Sequence, residues 1–235
     1  MADVRFTSMM PVELIDTNFS DARVCVAART STAGAGADDA ERYGLINALM
    51  RDRHGTPFEH MNVTVRVTAP IFVWREHHRH RAGFSYNEES GRYKQLDPVF
   101  YIPSVGRGIA KVEGTKSMDY VLAMGTGEQR RMVDSATHQV CTLAYEAYER
   151  QLQGGIVREV ARMILPVSIM STCIVTMNAR SLMAFLSLRQ RHDDALFPSK
   201  PQWEINQVAD QYEQILAQYA PMTHRSFVQN RRVAP

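Results

Sequence analysis

The chain has 235 residues, of which 45% are hydrophobic and 22% charged, and its formal net charge is +2. A chain of this length buries a core without staples, and this composition excludes disordered and fibrous classes. So small a basic excess also argues against a protein that grips nucleic acid through many phosphate contacts.

In chain order, residues 12–17, VELIDT, predict a strand, and Ser20 is placed to cap a helix over 21–30. The Ser-, Gly- and Asp-rich stretch 31–39 reads as a loop. Residues 39–52 carry apolar side chains at helical spacing, with Leu45, Ile46 and Leu49 on one face. Over 60–69, Met61, Val63, Val65 and Val67 alternate with polar neighbours, which is the period of a half-buried strand. Pro70 suits the first position of a helix over 71–81, which starts apolar and ends in positive charge. A short strand follows at 98–103, then a loop over 103–127. A long helix is expected over 132–153, closed by Gly154 and Gly155. A second helix over 157–165 ends at Pro166, and the β-branched run 168–177 predicts a buried strand. Asn178 caps a helix over 179–191; a loop at 191–201 and an amphipathic helix at 202–220 complete the order. Strands and helices mix without regular alternation, which points to the α+β class, and no stretch is polar and long enough to link independent domains.

Cys25, Cys141 and Cys173 are far apart and form no CxxC pair. Their odd number fits a reducing compartment. The first residues lack the order of a signal peptide, and no apolar run reaches the length of a membrane span. The expectation is a cytoplasmic protein with no membrane partner.

Charge is densest over 75–93, REHHRHRAGFSYNEESGRY, which holds Arg75, Arg79, Arg81 and Arg92 with His77, His78 and His80. Cations at a helix C-terminus complement its dipole, so a solvated charge run is one reading. An anion site is the other, because arginine grips phosphate or carboxylate with a planar fork. Glu88 and Glu89 would repel a continuous phosphate backbone, which favours a small anionic ligand over nucleic acid. A metal site is disfavoured: the histidine spacing does not match HExxH, and arginines among the ligands oppose a cation. Neither a GxGxxG fingerprint nor a P-loop is present, and no cysteine falls in the charged segments.

Further along, RHGTPFEH places His54 and Thr56 in a turn. REVARMILP sets Arg158 and Arg162 one turn apart, and Asn178 and Arg180 open a helix whose end carries Arg189. A helix N-terminus offers N–H groups to an anion, and an arginine beside so apolar a helix needs a partner.

Taken in order, HGTPFEH, APIFVWREHHRHR, SYNEESGRY, FYIP, REVARMILP, TMNARSLMAFLSLR and QWEI resemble the flavin-dependent thymidylate synthases. The resemblance implies a mixed or antiparallel sheet packed with helices, in a single domain over 1–235, assembled as a homotetramer. It implies a methyltransferase that converts dUMP to dTMP, with FAD as cofactor and 5,10-methylenetetrahydrofolate and NADPH as co-substrates. Carried over by position, His54, Thr56, Arg79, His80, Arg81, Glu88, Asn178, Ala179 and Arg180 would meet FAD. Glu76, Arg79, Glu88, Glu89, Ser90, Gly91, Arg92, Arg162 and Arg189 would meet dUMP. Arg189 is the expected catalytic charge, Ser90 a positioning hydroxyl, and no metal is implied.

Three departures from the family pattern stand out. Eight residues separate Arg81 from Ser90, where the family motif has seven. Glu76 stands where the family often has glutamine, and Ala184 where an amide or histidine often touches FAD. A nucleic-acid module built on the basic helix, and a nucleotide-binding relative without turnover, are the competing readings.

Overall fold

The computed structural model describes residues 3–30, 38–114 and 121–235. Most of the loop expected at 31–39, and part of the one at 103–127, lie outside the described residues. In chain order the elements are β1 (Arg5–Thr7), β2 (Val12–Thr17), α1 (Asp21–Arg29), α2 (Asp39–Arg51), α3 (Thr56–Glu59), β3 (Asn62–Pro70), α4 (Ile71–His77), β4 (Phe84–Glu88) and β5 (Val99–Tyr101). They continue with β6 (Ala110–Lys111), β7 (Leu122–Ala123), α5 (Gly127–Gln153), α6 (Arg158–Ala161), β8 (Met170–Asn178), α7 (Ala179–Arg189), α8 (Trp203–Tyr219) and α9 (Pro221–Gln229). The chain divides into two compact units, one of Met1–Met10, Thr68–Arg75 and Glu88–Thr172, the other of Pro11–Val67, Glu76–Asn87 and Cys173–Pro235. A four-stranded sheet of order β2-β3-β8-β4 has most of its residues in the second unit.

In the first unit, β1 pairs in parallel with β5. Phe100 of β5 packs with Cys141, Tyr145 and Tyr148 of α5 and with Ala161 and Ile169 in one buried cluster. The Tyr145 hydroxyl donates to the Leu96 carbonyl at 2.7 Å and ties the loop after residue 93 to α5. That helix starts at Gly127, earlier than its apolar pattern suggests, because Thr126 and Gln129 form a reciprocal capping box. It closes at Gly154 as expected, followed by Gly155 at φ +83. The helix expected over 157–165 is only one turn of α6 and a 3₁₀ turn at Arg162–Ile164, since Pro166 forces Leu165 into extended backbone. Pro70 ends β3 instead of opening a helix; the first N–H groups of α4 donate to the carbonyls of Ile169 and Val167.

In the second unit, β2 and β3 pair antiparallel, with a register shift between Leu14 and Asp16. The Thr64 and Thr176 hydroxyls meet at 2.9 Å across β3 and β8. Leu182, Met183, Phe185 and Leu186 of α7 are fully buried. Each such side chain contributes about 1.5–3 kcal/mol by leaving water. α8 buries Ile205, Val208, Ala209, Tyr212 and Leu216. Ser20 holds the cap position of α1 but makes no side-chain cap bond. The next residue, Asp21, instead turns inward and caps α9, accepting from Met222 N at 2.9 Å, Thr223 N at 2.8 Å and Thr223 Oγ1 at 2.7 Å. Helix α9 is absent from the sequence-based order, although Pro221 stands at its first position. All three cysteines are buried and free.

Asp21→Ala strands two backbone donors and a buried hydroxyl, so it should destabilise the chain by about 2–3 kcal/mol in urea unfolding. A loss below about 0.5 kcal/mol would show that water replaces the carboxylate.

Candidate active site

The basic cluster does not ride on a helix. α4 stops at His77, and the Tyr86 hydroxyl holds the turn that follows, lying 2.7 Å from the His80 carbonyl and 3.0 Å from that of His77. The chain swings out through Arg79, His80 and Arg81 to Gly83, which sits at φ +68. A Cβ there would collide with Ser181 Oγ and come within 2.6 Å of Asn178 Nδ2, so position 83 requires glycine twice over. Asn178 caps α7 by accepting from Ser181 N at 2.8 Å, and its own N–H donates to the Gly83 carbonyl at 3.3 Å.

This arrangement forms one side of a cleft of about 940 Å³. The turn Arg79–Phe84 lines it, with Asn178, Arg180, Ser181 and Ala184 from the start of α7, Glu59, and Ala234 and Pro235. Among the described residues, the Arg79 and Arg81 guanidinium groups have no protein partner. Arg180 donates from Nη1 to Glu59 at 2.6 Å and from Nε to the Pro235 oxygen at 2.8 Å. A Cβ at Gly55 would overlap its guanidinium, so the absence of a side chain there lets Arg180 pass. The donor set suits an elongated anion such as a dinucleotide: paired guanidinium forks, an amide, a hydroxyl, and a bare backbone at Gly83.

Behind the turn lies a row of neutral rings. His77 is 1% exposed, with Nε2 2.8 Å from the Tyr212 hydroxyl and Nδ1 3.1 Å from that of Tyr86. Burial, aided by His80 and His78, brings its pKa down to about 3. His80 is pushed down to about 4 by burial and then by the charge of Arg189. It accepts from Arg189 Nε at 3.0 Å through Nε2, which assigns its ring proton to Nδ1. Arg189 also donates from Nη1 to Glu76 Oε2 at 3.0 Å. Burial raises the Glu76 carboxyl, Arg189 opposes that, and Glu204 adds to it. Tyr86 and Tyr212 are both driven upward by burial, so their hydroxyls keep their protons.

The segment 88–92 lies in the first unit. Glu88 accepts from Ser171 Oγ at 2.6 Å, and Glu89 accepts from Thr172 N at 2.7 Å while pairing with Lys94 at 2.5 Å. The Ser90 carbonyl accepts from Tyr93 N and Lys94 N, and its hydroxyl accepts from Arg92 N at 3.3 Å. Gly91 is buried against Arg162, where a Cβ would come within 3.1 Å of that side chain. Arg92 pairs with Glu159 at 3.2 Å.

The sequence-expected residues therefore fall into two groups. Arg79, His80, Arg81, Asn178 and Arg180 line one cleft, with Glu76 and Arg189 joined beside them through His80. Glu88 to Arg92 gather with Arg162 and Glu159 in the other unit. His54 and Thr56 are exposed and Ala179 is fully buried; none of the three lines the cleft. Sequence reasoning missed Tyr86 and Tyr212, which look like ordinary aromatics, and Glu59, which only the folded chain brings to Arg180. Among the described residues no group of three His, Cys, Asp or Glu side chains gathers as a metal site, and no helix is long and apolar enough to cross a membrane.

A family model described as thymidylate synthase complementing protein matches residues 13–222. A flavin-dependent thymidylate synthase of Streptomyces coelicolor is 48% identical, the match covering 99% of this chain and 96% of that protein. One from Tropheryma whipplei is 47% identical over 99% of this chain and 98% of its own, and one from Thermotoga neapolitana 37% over 92% and 90%. Among solved structures, a UMP/dUMP methylase PolB from Streptomyces cacaoi bound with 5-Br UMP superposes with a TM-score of 0.91 at 43% identity, covering 99% of this chain and 100% of that one. The chain belongs to the thymidylate synthase complementing protein family, that of the flavin-dependent thymidylate synthases, and is an enzyme of it.

A histidine whose folded pKa lies below its ordinary 6.5 binds fewer protons when folded. The stability it contributes is whole above that value and is lost as pH falls toward the folded pKa. Ring NMR at about pH 5.5 should find His77 and His80 still neutral, and stability in urea should fall steadily below about pH 6.5. Titration midpoints near 6.5 for these rings would contradict their burial.

Proposed function

We propose that the chain reductively methylates dUMP to dTMP with FAD as cofactor, taking the carbon from 5,10-methylenetetrahydrofolate and electrons from NADPH. In balance, dUMP, methylenetetrahydrofolate, NADPH and a proton give dTMP, tetrahydrofolate and NADP⁺. The observation that carries the reading is the cleft, which is lined beside a glycine turn by two guanidinium groups without a partner among the described residues. The relatives' shared name, flavin-dependent thymidylate synthase, supports it.

In the second unit, Arg79 and Arg81 would hold the cofactor's phosphates, with Asn178 and Arg180 at the head of α7. Bound FAD would carry electrons between NADPH and the transferred carbon. Arg189 is the catalytic charge: fixed by Glu76 and neutral His80, it would stabilise negative charge developing on the pyrimidine. Because His80 is neutral, it orients Arg189 without adding a second cation. In the first unit, Glu88 to Arg92 and Arg162 would contact the nucleotide. Ser90 is a positioning hydroxyl, since its oxygens already shape the turn it begins.

The chain would act as a cytoplasmic homotetramer of one domain type, without membrane or nucleic-acid partners. Val157, Val160 and Met163, and Met132, Val140 and Leu143 of α5, are exposed apolar side chains that support self-association. A second reading, that UMP is also methylated, rests on the solved relatives described as UMP/dUMP methylases.

NADPH oxidation should require both flavin and nucleotide, with dTMP or the ribose analogue found among the products. Untouched NADPH and no methylated product would favour a relative that binds without turnover. Arg189→Ala should cut dTMP formation by about 10²–10³-fold with the fold retained. Ser90→Ala should keep measurable turnover. Near-normal rates in the first variant would sink the catalytic role of Arg189. Complete loss in the second, at unchanged dUMP affinity, would sink the positioning role of Ser90.

A further inference from the structure

The family match ends at residue 222, yet the described chain continues to Pro235 and returns to the cleft. After α9, Arg231 and Arg232 take consecutive left-handed conformations, φ 57 and 58, which persist only where the surroundings over-determine them. They do so at this corner. The Arg232 side chain is 5% exposed, pairs with Glu213 at 2.9 Å, donates to Gln190 Oε1 at 2.5 Å and lies over the Phe227 ring. Its carbonyl accepts from Ser187 Oγ at 2.7 Å, and that of Arg231 accepts from Leu196 N at 3.0 Å. Beyond this anchor, Arg53 Nη1 donates to the carbonyls of Val233 and Ala234 at 2.7 and 3.3 Å. The Pro235 oxygen takes Arg180 Nε at 2.8 Å, and Ala234 and Pro235 line the cleft.

We propose that Val233–Pro235 form a wall of the cofactor cleft and hold Arg180 for an anionic, phosphate-bearing cofactor. The inference rests on the proposal that the cleft takes a flavin. Its physical basis is that the Pro235 oxygen fixes the plane of the guanidinium through Nε and leaves the other N–H donors of Arg180 available to a ligand. Glu59 orients the same group from the other side. Gly55 leaves the space through which Arg180 reaches both. Arg53 and Arg232 are the two fastenings of the wall, and Arg180 is the group it positions.

The test is FAD binding, followed by flavin fluorescence, in the full chain, in a chain lacking Val233–Pro235, and in Arg53→Asn, which suits the φ of 61 at that position. Removing the wall should weaken FAD binding by about tenfold, and Arg53→Asn by about threefold, while the melting temperature of the FAD-free protein changes little. A structural role alone would not predict coupling to Arg180: in an Arg180→Ala background the same deletion should cost less than about twofold. Equal FAD affinity with and without the wall overturns the inference, as does an undiminished effect in the Arg180→Ala background. Should the shortened chain fail to fold, Arg53→Asn in the two backgrounds decides the matter by the same comparison. A full chain that binds no FAD overturns the flavin reading and this inference together, whereas equal binding by the full and shortened chains overturns this inference alone.

Discussion

The Tyr86 hydroxyl, 2.7 Å from the His80 carbonyl, fixes the turn on which the basic cluster depends. Were α4 to run on, Arg79, His80 and Arg81 would wind around a helix and share no single direction. Because it stops at His77, the two arginines line a cleft while His80 reaches back to Arg189. The same hydroxyl lies beside His77, whose other nitrogen meets Tyr212 of α8, so the turn is tied through one buried ring to a neighbouring helix. A buried polar chain of this kind contributes only when every member is satisfied, and each of these ring nitrogens and hydroxyls has a partner.

Burial also sorts the charges. Within the basic stretch 75–93, the rings of His77 and His80 are held neutral, so the positive potential of the turn belongs to arginine. An arginine keeps its charge at every physiological pH, so acid does not change the positive charge that Arg79 and Arg81 bring to the cleft. Arg189 gains a geometry from this: one carboxylate and one neutral imidazole fix its plane, and only the carboxylate offsets its charge. The departure at position 76 takes on a meaning, since a glutamine there would orient the guanidinium without the ion pair.

Much of the fold is legible in the sequence. The alternation over 60–69, the run at 168–177 and the helices at 39–52, 179–191 and 202–220 all carry strong periods, and the structure has elements there. Asn178 is readable as a cap because its side chain bonds locally, to Ser181. Ser20 misleads because its neighbour Asp21 serves a helix two hundred residues away, which no local pattern reveals. The end of α4 is hidden for the same reason: Tyr86 stops it from a strand that follows. For the site, the arginines and the motif glycine stand out as residue types. Glu59, Gly55, Tyr212 and the segment after 230 have ordinary identities and gain their roles only by position.

The central claim is that this chain makes dTMP through Arg189. Its most direct test is growth, without added thymidine, of a bacterial strain that lacks thymidylate synthase and produces this chain in soluble form. Growth is expected with the intact chain and none with an equally abundant Arg189→Ala variant. Failure of the soluble, flavin-loaded intact chain to support growth, or equal growth with the variant, would contradict the claim.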